Sequence, residues 1–132
     1  MLSKIWKSSQ KYGTIPISIG TKSLSAKVAD SFAKRSLGLM HEKTLKKNNC
    51  MLFIFPFAQR YGIWMRNMLF PIDILWLDDE KKIVDYREKV QPAKGAFDFR
   101  TYFPKREARY VIELPAGFIR SSRVSASTKV KF

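Results

Sequence analysis

Residues 63–77 read IWMRNMLFPIDILWL. Their last six, IDILWL, are apolar at every position but one. Side chains of a strand alternate between two faces, so Asp73 shares a face with Leu75 and Leu77. A strand apolar on both sides is covered on both sides, and so lies inside a sheet. An unpaired carboxylate there would cost several kcal/mol or take up a proton. Asp73 therefore needs donors, either to brace the fold or to help shape a site.

The same logic works outward along the chain. CMLFIF, residues 50–55, sets Cys50, Leu52 and Ile54 against Met51, Phe53 and Phe55. It is a second strand covered on both faces. TIPISIG, from residue 14, alternates around Ile15, Ile17 and Ile19, and Pro16 marks it as an edge strand. LSAKVAD alternates around Leu24, Ala26 and Val28 and closes a hairpin over a turn at 20–22. Residues 31–38 change to helical spacing, with Asp30 or Ser31 as N-cap and Gly38 at the end. KIVDYREKV completes a second hairpin with IDILWL over the turn DDEK. ARYVIEL is a further strand stopped by Pro115, AGFIRSS a helical turn, and TKVKF a last short strand. These elements predict a mainly β fold: a compact sandwich or partly open barrel of short antiparallel strands with one or two short helices. Residues 1–13 read as a basic N-terminal arm and residues 14–132 as a single β-rich domain.

The chain has 132 residues and a net charge of +14. A single cysteine excludes an intrachain disulfide, and Cys50 in its apolar run reads as a packing residue. His41 has no Cys or second His to form a metal site, so neither metal nor cofactor is expected. No secretory leader or membrane-length apolar run is evident, so a cytoplasmic monomer is expected. The basic residues are scattered rather than gathered in one run. Their charge serves solubility as readily as attraction to nucleic acid or anionic lipid.

The string VADSFAKRSLGLMHE, then CMLFIFP, then YGIWMRNMLFPIDILWLDDEKKIVD, then ARYVIELPAG carries a family pattern. It resembles the uncharacterised "domain of unknown function 192" family, also called uncharacterised protein family 0127, across about residues 24–120. That resemblance implies a compact β-rich domain and no established activity. Three departures from the family pattern stand out. Cys50 replaces a usual glycine, Met68 replaces a usual threonine, and the ending SSRVSASTKVKF lacks the usual glycine and aspartate.

Five residues form the expected ligand-binding set: Trp64, Asn67, Asp73, Arg109 and Glu113. Trp64 offers a stacking face and an indole N–H, Asn67 an amide, and Arg66 or Arg109 a guanidinium for Asp73, with Glu113 as the other partner open to Arg109. The plainer alternative makes Asn67 and Asp73 braces of the tight link before a central strand. The expected function is a small non-enzymatic binding module for a small polar ligand, sugar or peptide. A nonspecific nucleic-acid binder is the alternative, with Tyr61, Phe97, Phe99, Tyr102 and Phe103 interleaved among Arg60, Lys94, Arg100, Lys105 and Arg106. A hydrolase using Asp73 and Glu113 as a carboxylate pair is a more distant one.

Overall fold

The computed structural model describes residues 10–132. Most of the expected basic arm, residues 1–9, lies outside the described residues. Strand β1 (Gly13–Ile19) and strand β2 (Lys22–Ala29) form the first hairpin, and Gly20 supplies the positive φ of its turn. Pro16 sits on the stretch of β1 that pairs only with β2, where its missing N–H costs no ladder bond. Helix α1 (Phe32–Leu37) follows, and the Ser31 hydroxyl accepts the Lys34 N–H at 3.3 Å as N-cap. The remaining elements are β3 (Asn49–Gln59), β4 (Ile63–Trp64), β5 (Ile72–Leu77), β6 (Ile83–Val90), β7 (Thr101–Tyr102), β8 (Ala108–Pro115), α2 (Phe118–Ser121) and β9 (Val130–Lys131).

Seven strands form one curled, half-barrel sheet in the order β6-β5-β8-β3-β2-β1-β9, and β4 pairs with β7 in a small separate ribbon. The mainly β, partly open barrel expected from the sequence is what forms. Among the described residues its one non-antiparallel pairing is β2 with β3, which run parallel. A parallel pair needs a crossover connection, and α1 with residues 38–48 provides it.

The alternation along β3 and β5 becomes two cores, one on each face of the sheet. One face gathers Cys50, Leu52, Leu75, Leu77, Ile112 and Leu114 against Ile119 of α2. The other gathers Met51, Phe53, Ile72, Ile74, Trp76 and Val111 against Leu39, Ile63, Met65 and Met68. Connections lying over that second face are what make Met51, Phe53 and Ile74 interior residues.

Cys50 is buried in the first core, and burial pushes its thiol up to about 12. A thiolate-directed reagent at pH 8 should therefore leave the native protein unlabelled and label it at once in denaturant. The unfolded thiol ionises first, near its ordinary pKa of about 8.5. The thiol's contribution to stability is full below that value. It should decline as pH rises from there towards about 12, which denaturant melts across that range would show.

Candidate functional site

Two carboxylates lie in the middle of the sheet, Asp73 at 0% and Glu113 at 4% exposure. The register of β5 with β8 sets Asp73 opposite Leu114, and Ile74 opposite Glu113. Directly opposed residues share a face, so the two carboxylates point to opposite sides of the sheet. They form no catalytic pair, and the hydrolase alternative built on them is corrected by this register.

Asp73 faces the first core. Its Oδ1 accepts the N–H of Lys89 at 2.8 Å and of Gly117 at 3.2 Å, and its Oδ2 accepts the N–H of Ile119 at 2.8 Å. It therefore fastens β6, where Lys89 has φ +49, to the start of α2. This is the brace rather than the cleft residue expected of it. Arg109 also lies elsewhere: its Nε donates to the Phe55 carbonyl at 3.1 Å and its guanidinium approaches Asp79 at 3.8 Å. The pairing with Asp73 or Glu113 expected from the sequence is replaced by these contacts.

Asn67 adopts φ +57, a left-handed conformation that asparagine tolerates better than most residues. Its carbonyl accepts the His41 N–H at 3.0 Å, and its amide nitrogen lies 3.8 Å from Met40 Sδ. It thus ties the loop after β4 to the segment after α1. It shapes the site through Met40 rather than lining it.

Glu113 lies on the other face, at the base of a cleft of about 290 Å3 between α1, the segment after it, β3 and β4. Of the expected set, Trp64 and Glu113 line this cleft together. Phe53, Phe55, Met40 and Met68 supply apolar walls. Met68 stands where the family pattern has threonine, so this wall has a thioether in place of a hydroxyl. Arg35 donates to the Ile54 carbonyl at 2.9 Å and lies 5.1 Å from the Phe55 ring. Arg66 sits between Trp64 and Phe99, 5.1 and 5.3 Å from the ring centroids. Trp64 is 42% exposed at the mouth.

Sequence reasoning missed Arg35 and Gly38 as lining residues, and it offered Arg66 as a donor to Asp73, whereas Arg66 lines the cleft between two rings. Gly38 carried the one available signal, a glycine inside LGLM. It holds φ 48 and ψ −129 after α1, and a Cβ there would lie 3.2 Å from Phe53 Cζ and 3.8 Å from Glu113 Oε1. The glycine keeps the base of the cleft open as well as ending the helix.

The interleaved basic and aromatic residues are only partly gathered. Phe97, Phe99 and Phe103 are exposed, whereas Tyr61 stacks on Phe55 at 3.7 Å. Arg60 donates to the Pro104 carbonyl at 2.7 Å. Arg100 grips Asp98 at 2.9 Å, and that guanidinium, with the Lys94 and Arg100 N–H groups, holds the Asp98 carboxyl far below the usual range. Among the described residues no group of His, Cys, Asp or Glu could hold a metal ion, and no helix is long and apolar enough to cross a membrane.

The family model described as an uncharacterized ACR, DUF192, matches residues 15–132. The chain belongs to the DUF192 family. A UPF0127 protein of Thermococcus kodakarensis is 40% identical over 100 residues, covering 74% of this chain and 58% of the relative. One of Pyrococcus abyssi is 35% identical over 107 residues, covering 80% of this chain and 83% of the relative. The matched part therefore spans under two-thirds of the Thermococcus protein. The DUF192 fold is shared with a crystal structure of a Sinorhizobium meliloti protein provisionally described as a transcription regulator. That structure has a TM-score of 0.85 at 23% identity and covers 93% of this chain and 96% of its own. A Novosphingobium aromaticivorans protein of unknown function gives a TM-score of 0.83 at 17% identity, covering 94% of each chain.

Proposed function

We propose that this DUF192 domain is a non-enzymatic binding module whose cleft takes a small ligand with both an apolar face and hydrogen-bond donors, such as a sugar or a short peptide. The observation that carries this reading is the placement of Glu113. A carboxylate 4% exposed lies at the base of an apolar, aromatic-edged cleft on a rigid sheet. Small-molecule sites have this form: an apolar lining with a few placed polar groups. The volume of about 290 Å3 is near the lower end for such sites, which suits one sugar ring or one or two side chains. Trp64 would stack on the ligand at the mouth and Glu113 would accept its donors at the base. The lining carries a single carboxylate and two guanidiniums already held by carbonyl and ring contacts. Ser36 and Thr101 add hydroxyls to this lining, and the Thr101 hydroxyl donates to the Phe99 carbonyl at 3.0 Å.

Nonspecific nucleic-acid binding through the +14 charge has less support, because Arg60 and Arg100 are engaged within the fold.

A thermal-shift panel of monosaccharides, oligosaccharides and short peptides tests the cleft. A probe present at about a hundred times its Kd stabilises by about 2.7 kcal/mol, which raises the melting temperature by several degrees. At least one probe should do so for wild type and fail to do so for Trp64→Ala. No response across the panel, or an undiminished response in Trp64→Ala, would reject the cleft.

A further inference from the structure

We propose that the loop 91–100, together with Trp64 of β4, docks the protein on an anionic lipid surface. Phe97 is 90% exposed, the most open of the large apolar side chains described. The loop that carries it is internally braced. Asp98 accepts the Lys94 N–H at 2.9 Å, the Arg100 N–H at 3.2 Å, and the Arg100 side chain at 2.9 and 3.2 Å. Four hydrogen bonds onto one carboxylate hold the residues on either side of Phe97 in place, so its exposure is built into the loop rather than left to a loose chain.

Other exposed apolar residues lie on a segment tied to this loop. The Ala93 N–H donates to the Met65 carbonyl at 3.1 Å, which ties the loop to the segment carrying Leu69, itself exposed. Trp64 pairs with Thr101 across the β4–β7 ribbon, and Arg66 bridges Trp64 and Phe99. Trp64, Leu69, Phe97 and Phe99 thus come from two segments lying side by side. Residues 87–106 carry six cations against two acids, and one of those acids, Asp98, is already bound to Arg100. Exposed aromatics within a basic field match the interfacial zone of an anionic bilayer, where rings enter the headgroup layer and lysines and arginines remain above it.

Nucleic acid would use the same charge but a different geometry. It needs guanidiniums free for phosphates, whereas Arg66 lies between two rings and Arg100 is held by Asp98. A lipid surface needs only diffuse charge and apolar volume at a projecting tip, and Leu69 and Phe97 supply that volume. Trp64 is common to this surface and to the mouth of the cleft, whereas Phe97, on which the test turns, does not line the cleft.

The test is co-sedimentation with vesicles of phosphatidylcholine containing phosphatidylglycerol, and with phosphatidylcholine alone. Wild type should pellet with the anionic vesicles and not with the neutral ones, less so at high salt. Phe97→Ser should weaken that partition at least about tenfold, from the apolar area withdrawn from the interface. Its melting temperature should not change, because the side chain makes few contacts in the fold. Absence of wild-type pelleting, or undiminished pelleting of Phe97→Ser, would overturn the proposal. Phe97-dependent binding to single-stranded oligothymidine without vesicle binding would overturn it in favour of a nucleic-acid surface.

Discussion

Asp73→Asn should melt roughly 10 °C below wild type. The carboxylate accepts three backbone N–H groups, from Lys89, Gly117 and Ile119. Asparagine keeps the shape but has one acceptor oxygen, and its NH2 group must face at least one of these donors. A charge-assisted hydrogen bond is worth about 1.5–3 kcal/mol, and a buried donor left unsatisfied adds a further penalty. A loss of about 3 kcal/mol follows, a large share of the ~5–15 kcal/mol that holds a domain together. For a chain of this size about 1 kcal/mol moves the melting temperature by a few degrees. The damage should be localised at first. Amide exchange in α2 and around Lys89 should rise before exchange in β3 or β8, because Asp73 fastens those two segments to the sheet. A melt within about 2 °C of wild type would show that the three hydrogen bonds contribute little net stability.

Gly38→Ala should cost nearly as much, for a different reason. With φ 48 and ψ −129, Gly38 occupies a backbone region that a side chain strongly disfavours. Forcing an alanine there costs about 1–3 kcal/mol from the backbone alone. The new Cβ would also lie 3.2 Å from Phe53 Cζ, so the ring must give by a few tenths of an ångström. A loss of about 2–3 kcal/mol and a melt roughly 7–10 °C lower are expected. The same methyl group would stand 3.8 Å from Glu113 Oε1, so any probe that reaches the base of the cleft should bind more weakly. Gly95→Ala is the matched control. Its Cβ would meet nothing within 4 Å, and the melt should stay within about 0.5 kcal/mol of wild type. Equal melting of Gly38→Ala and Gly95→Ala would contradict the assigned role of Gly38.

Much of this fold was legible because periodicity is local. The two-faced strands β3 and β5, the hairpin turn at Gly20 and the helix cap at Ser31 each follow from a few adjacent residues. Partners far apart in sequence are not encoded in that way. Nothing in the alternation of CMLFIF says that it runs parallel to β2, or that β8 rather than β6 fills the gap between β5 and β3. The same limit decided the site. The sequence showed Asp73 in phase with Leu75 and Leu77, and Glu113 in phase with Val111. Whether those two phases share a face depends on one residue of register between β5 and β8. The register puts Glu113 in the cleft with Trp64 and turns Asp73 to the opposite core. Gly38 and Arg35 enter the site only through the crossover, which brings α1 over the face that carries Glu113.

On the proposed reading the two buried carboxylates divide between fold and site, and Glu113 offers the most direct test of the cleft. The measurement is the thermal-shift panel of sugars and short peptides run on Glu113→Gln beside wild type. Glutamine preserves the length of the side chain and removes the charge that would accept the ligand's donors. A probe that raises the wild-type melting temperature by several degrees should leave that of Glu113→Gln unmoved, or nearly so. The same rise in both proteins would contradict the assignment of Glu113 as the residue that holds the ligand.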